Sequence, residues 1–130
     1  MQVFPWQNIE GIKVKEVVLS GEAREVSGVT IRWLSRVTVD DDGNRVYGLR
    51  HFSVAPGAQI PMHNHVYHQT VYILSGEFEC QRGNPESGDV SETRICGCGD
   101  VIYSPSMEPH AMRNISSTEP ATFLCCIATV

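Results

Sequence analysis

"MHNHVYHQTVYILSG", residues 62–76, puts three histidines within six positions and follows them with Gln69 and an apolar run that stops at Gly76. In a β-strand alternate side chains share a face, so His63 and His65 can turn their imidazoles toward one point while Asn64 points away. The run after them is short, rich in β-branched and aromatic residues, and closed by glycine, which reads as a strand. Periodicity does not say which side of that strand is inside. Gln69, Val71 and Ile73 share one face, His68, Thr70, Tyr72 and Leu74 share the other, and both carry apolar residues.

Working outward, turn signals recur at short intervals: SGEAREVSG at 20–28, DDDGN at 40–44, APGAQIP at 55–61, RGNPESGD at 82–89, CGCGD at 96–100, SPSMEP at 104–109 and SSTEP at 116–120. DDDGN reads as a hairpin loop, because Gly43 and Asn44 tolerate positive φ. Between the turns lie VTIRWLSRVTV, RVYGLRHFSV, DVIYS and ATFLCCIATV. Short strands with Gly/Pro/Asn/Asp punctuation and no sustained 3.6-residue pattern predict an all-β sandwich or barrel.

The chain has 130 residues, of which 42% are hydrophobic, and this suits one domain with a single core. The first thirty residues are expected as edge strands or an arm on the same sandwich. A net charge of −5 with only 10 Lys+Arg argues against a phosphate-binding face, so nucleic acid is not an expected partner. No apolar stretch reaches the roughly 18–20 residues needed to span a bilayer, and MQVFPWQNIEGIK lacks a basic leader before an apolar segment. The expectation is therefore a cytoplasmic protein with no membrane partner. Five cysteines in a reducing compartment predict free thiols rather than a disulfide framework.

A lone H-x-H pair is half a metal site or plain surface polarity. Its frame is more specific. Gly57 is followed by five residues and then His63-Asn64-His65; Gln69 comes after three more and Gly76 after a further six. Gly99 is followed by five residues and Pro105, with His110 after Ser106 and Asn114 four beyond His110. This two-part arrangement resembles the cupin superfamily, in particular its small single-domain metal-binding members, over residues 46–127. Two positions depart from the pattern: Met107 stands where a glycine is usual, and Gln69 where a glutamate ligand is usual.

The resemblance implies a jelly-roll barrel, often paired as a homodimer, around one divalent transition-metal ion held by His63, His65, Gln69 and His110. His68 is then directed outward or into the rim, or becomes a ligand if the register shifts. Three imidazoles and an amide bring no negative charge, so the ion would keep its full charge, favour anionic ligands and exchange readily. Mn, Fe, Co, Ni or Cu suit an octahedral version and Zn a tetrahedral one.

Around the ion, Met112 shares the inward face of His110, and Ile60 precedes His63 by a short turn. Phe123 and Cys125 belong to the strand face that resembles the pocket lining of small cupins. Arg50 lies on a strand whose counterpart in these proteins runs into the barrel. Apolar residues there also serve as core filler, and Arg50 serves equally as an ion-pair partner or a carboxylate clamp. His51 reads as an ordinary strand histidine, Tyr67 and Tyr103 as packing with a wet hydroxyl, and Cys80, Cys96 and Cys98, lacking a C-x-x-C pair, as thiols without zinc. No carboxylate pair or Ser/His/Asp order suggests a hydrolase. The expected function is a metal-dependent enzyme, a dioxygenase-like oxidoreductase or an isomerase/lyase, on a small anionic oxygenated molecule. The alternative is a non-catalytic module that binds a sugar or metabolite with the help of the metal.

Overall fold

The computed structural model describes residues 1–37 and 47–129. The hairpin expected at DDDGN, 40–44, falls outside them. Apart from a 3-10 turn at Trp6–Asn8, every element is a strand: β1 Ile12–Lys13, β2 Glu16–Leu19, β3 Glu22–Glu25, β4 Val29–Val37, β5 Tyr47–Val54, β6 Gln59–His63, β7 His68–Ser75, β8 Glu77–Gly83, β9 Val90–Gly97, β10 Val101–Ser104, β11 His110–Asn114 and β12 Ala121–Ala128. They form a six-stranded sheet in the order β1-β4-β5-β12-β7-β10, a four-stranded sheet β6-β11-β8-β9, and the hairpin β2-β3. This is the all-β sandwich that the punctuation predicts and the jelly roll that the resemblance implies.

Burial alternates with the pleat. On β12, Ala121, Phe123, Cys125 and Ile127 are buried, and on β11, His110, Met112 and Asn114. Pairing carries these inner positions across the large sheet, with Cys125 between Arg50 and Val71, and Ile127 between Gly48 and Gln69. The tie in the 68–75 strand is thereby resolved. Gln69, Val71 and Ile73 are buried, while Thr70 and Tyr72 are exposed.

The core is built on an aromatic cluster. Phe52 stacks on Phe123 at 4.7 Å between centroids, and Phe78 meets Phe123 edge-on at 5.5 Å. Such a fully buried phenylalanine contributes about 3–5 kcal/mol relative to alanine. Asn114 locks the far end: its Nδ2 donates to the carbonyls of Val54, Ala55 and Glu119, and its Oδ1 accepts from Ser116 N at 3.0 Å. At the β7–β8 turn Gly76 has φ 79°, and a Cβ there would stand 2.6 Å from the Cβ of Ala121. Both the conformation and the close approach of β12 require glycine. Pro61 sits in β6, an edge strand, where its missing N–H costs no ladder bond.

The N-terminal segment divides its work. β1 extends the large sheet by pairing with β4, whereas β2-β3 folds toward β6, with Asn64 N donating to Val18 O at 3.0 Å. That hairpin walls one side of the barrel interior.

Candidate metal centre

Two strand ends and one loop assemble the polar floor of the barrel. His63 closes β6, His110 opens β11, and the two are partners in register, with ring centroids 4.2 Å apart. His65 arrives differently from the alternation expected of H-x-H. β6 stops at His63, and His65 lies in the loop that follows. That loop is anchored by Asn64, whose Oδ1 accepts from Ser20 N at 2.9 Å, and by Met107 N, which donates to His65 O at 2.8 Å. Met107 itself takes φ 68°, the left-handed conformation that a glycine would adopt without strain. Ile60 lies on the same strand as His63, rather than a turn before it.

Hydrogen bonds fix which nitrogen of each ring is free. Nδ1 lies 2.8 Å from Pro61 O in His63, 3.0 Å from Tyr67 O in His65, and 2.9 Å from Glu108 O in His110. A carbonyl only accepts, so each Nδ1 carries the hydrogen and each Nε2 presents a lone pair. The three histidines gather with their ligand atoms all within 4.8 Å of one another, close enough to hold one metal ion.

Gln69 completes the floor in a way that tests its fit to a cation. Its amide oxygen is 3.1 Å from His65 Nε2, and its amide nitrogen is 3.3 Å from His110 Nε2. The nitrogen can donate to one ring, but the oxygen then faces the lone pair of the other. Turning the amide over exchanges the two rings and leaves the same conflict. A proton does not relieve it near neutral pH. Burial, the largest cause, lowers His63 to about 4 and His110 to about 3, and lowers His65 as well. The converging lone pairs fit a metal cation, with the backbone carbonyls orienting the rings as outer-shell partners.

The residues singled out in the sequence meet at one cavity of about 310 Å³: His63, His65, Gln69, His110, Arg50, Ile60, Met112, Phe123 and Cys125 all line it. A larger cavity of about 460 Å³, walled by Cys80, Arg82, Arg94 and Cys96 among others, shares Gln69, His110 and Met112. Only the smaller one includes all four floor residues.

Arg50 enters that cavity from β5. Its guanidinium carbon lies 5.0 Å from the Phe52 centroid and 5.5 Å from that of Trp33. Nη2 donates to Cys125 Sγ at 2.8 Å and more weakly to Gln69 Oε1 at 3.5 Å, while Nε is buried without a partner. Among the described residues no carboxylate lies within 4.0 Å of it. Gly48 makes room for this arrangement, because a Cβ there would sit 2.7 Å from the Trp33 ring. Burial pushes the Cys125 thiol up more than Arg50 pulls it down, so the sulfur is a neutral acceptor rather than a counter-ion.

Other candidates lie elsewhere. His68 points its Nδ1 to Tyr103 Oη, 2.6 Å away, outside the cavity. His51 is buried beneath Trp6, with centroids 5.0 Å apart. All five cysteines are free, and Cys98 donates to Leu74 O. What the sequence reading missed is the contribution of the N-terminal segment, since Val14 and the hairpin residues Glu16, Val17 and Val18 line the cavity too. The apolar run V-V-L at 17–19 was the available signal.

Comparison with known proteins agrees with this architecture. No curated protein matches the sequence. Among solved structures, the polyketide cyclase RemF from Streptomyces resistomycificus superposes with a TM-score of 0.71 at 23% identity, over 98% of this chain and 79% of that one. A predicted oxalate decarboxylase from Thermotoga maritima gives 0.67 at 19% identity, over 99% and 100%. The oxalate decarboxylase of Bacillus subtilis, which has Mn(II) centres, gives 0.65 at 22% identity over 97% of this chain but 29% of its own. At these identities the likeness is one of fold. The family model described as a cupin domain matches residues 50–127, more than half of the chain. With both motifs converging inside a jelly roll, the chain belongs to the cupin family.

Proposed function

We propose that His63, His65, Gln69 and His110 hold one divalent transition-metal ion and that the protein is a metal-dependent enzyme acting on a small anionic oxygenated molecule. The observation that carries this reading is the set of three unprotonated Nε2 atoms gathered at the floor of a cavity, those of His65 and His110 facing the Gln69 amide. When bound there, the ion would supply Lewis-acid polarisation of a substrate oxygen or, if redox-active, dioxygen chemistry. The protein's own groups do the rest. Gln69 contributes no charge to offset the ion, Arg50 adds a cation beside it, and Phe52, Ile60, Met112 and Phe123 keep the approach apolar. Electrostatics therefore favours an anion. The names of the oxalate decarboxylase and polyketide cyclase structures support a catalytic reading at the level of fold.

Iron or manganese in protein purified without an affinity-tag metal would direct the assignment to a dioxygenase-like oxidoreductase, and zinc to an isomerase or lyase. A turnover screen across small organic acids tests the enzyme reading. Turnover that disappears in His110→Ala, with the fold intact, is the expected result. The competing reading is a non-catalytic module, and it is favoured by one observation: among the described residues Glu16 is the only carboxylate lining the cavity, and it is exposed. Binding without turnover on the whole panel would select it.

We also infer a homodimer formed through the outer face of the large sheet. Tyr72 and Val101 are exposed partners in register on β7 and β10, with exposed Tyr103 beside them. Apolar side chains grouped on one outer face suit a covering copy. Sedimentation of the wild type against Tyr103→Glu tests this, a shift to monomer being expected. Among the described residues no helix is long and apolar enough to cross a membrane.

A further inference from the structure

The cavity has two chemistries. Its polar groups gather around the imidazoles, Gln69 and Arg50, whereas Val17, Ile31, Phe52, Ile60 and Phe123 present hydrocarbon. Besides the floor and Arg50, the polar lining among the described residues consists of Glu16, which is exposed, and Asn64, whose side chain already bonds Ser20 and the carbonyl of Met107. At roughly 30 Å³ per water, a volume of 310 Å³ suits a ligand of about ten to fifteen non-hydrogen atoms.

Arg50 defines one end of such a ligand. The rings of Trp33 and Phe52 hold its guanidinium, its Nη2 meets a neutral sulfur, and its Nε is buried and unpartnered. Arg50 is half-buried, and a cation whose Nε is an orphaned donor there is stabilised by a carboxylate, whose two oxygens match the guanidinium fork. The walls define the other end. A sugar or polyol would leave its hydroxyls desolvated against hydrocarbon, at a cost for each. An apolar group would be stabilised there in proportion to the area it buries.

We propose that the ligand is a monocarboxylic acid with a carbonyl or hydroxyl oxygen next to the carboxylate and an aryl or branched aliphatic body, and that Arg50 selects its carboxylate. The oxygen beside the carboxylate reaches the floor occupied by His63, His65 and His110, so this inference rests on the metal-dependent reading while naming its substrate class. The sugar-binding form of the competing reading is incompatible with it.

The test uses the full chain, with metal content measured on every sample, and titrates phenylpyruvate, its methyl ester and gluconate by calorimetry. Phenylpyruvate is expected to bind at least about tenfold more tightly than either of the others, as a charge-assisted pair to Arg50 and burial of an aryl group require. Arg50→Met should remove at least about tenfold of that affinity while metal content and melting temperature hold. Gluconate or the ester binding as well as phenylpyruvate, or an unchanged affinity in Arg50→Met, would overturn the proposal. Should Arg50→Met not fold, the acid-against-ester comparison on the wild type decides. Absence of metal from the protein would sink the reading of the floor, yet discrimination between acid and ester by Arg50 would remain measurable on the metal-free chain.

Discussion

His63 and His68 lie five positions apart in one short segment, yet they live in different chemical worlds. His63, with His65 and His110, donates its Nδ1 hydrogen to a backbone carbonyl and turns a bare Nε2 inward. His68 sits on the opposite face of β7 and meets the Tyr103 hydroxyl. The difference teaches that a candidate ligand is identified by its second nitrogen. A carbonyl two residues away sets the tautomer and aims the ring before any ion arrives, and His68 lacks that device.

The largest expected effect breaks the first group. His110→Ala should reduce bound metal from about one per chain to background, since even the loss of an outer-shell partner costs roughly 10–100-fold in affinity. His68→Ala should leave affinity within about twofold. Elemental analysis after dialysis against a weak chelator reads both, and equal losses would erase the distinction.

Acid should weaken the first group next. For His63 and His110 the folded values, about 4 and about 3, lie below the unfolded value of 6.5. Above pH 6.5 neither folded nor unfolded chain binds these protons, so they do not affect stability. As pH falls below 6.5 the unfolded chain takes up protons that the fold refuses, and stability drops by up to about 1.4 kcal/mol per pH unit for each group until its folded value is passed. The metal-free protein should therefore melt on the order of 10 °C lower at pH 5 than at pH 7. His110→Ala should show a shallower dependence. A melting temperature flat from pH 7 to 5 in the metal-free wild type would contradict the buried, neutral cluster.

Much of this was legible in the sequence, for physical reasons that differ between regions. Strand punctuation carried the all-β class, and the spacing from Gly57 to Gly76 and from Gly99 to Asn114 reached the four floor residues through its resemblance to the cupin motifs, the chain's own periodicity leaving the choice open. The face of β7 was not legible from parity, since Tyr72 and Leu74 are as apolar as Val71 and Ile73; only the partner strands decide it. The route of His65 was also hidden. Alternation explains a strand, but β6 ends at His63 and hydrogen bonds from the N-terminal hairpin and from Met107 hold the rest. The apolar run at Val17 and Val18 marked burial but not a pocket role, because the contact that seats this hairpin, Asn64 N to Val18 O, is made more than forty positions away.

A smaller effect sharpens the role of the missing charge. Gln69→Glu should tighten metal binding by about tenfold or more, as a charge-assisted contact replaces a neutral one, and weaken an anionic ligand in the same cavity. Opposite movements of the two affinities, measured by competition titration, are the expected signature. Smallest of all, Met107→Gly should relieve the positive φ and raise stability by about 1 kcal/mol, seen as a higher denaturation midpoint with metal affinity unchanged.

The most direct test of the account is the X-ray absorption spectrum of the chain loaded with one equivalent of cobalt or zinc. The account predicts a first shell of nitrogen and oxygen at about 2.0–2.2 Å with scattering from three imidazoles and no sulfur. A sulfur shell near about 2.3 Å, or fewer than three imidazoles, would contradict it.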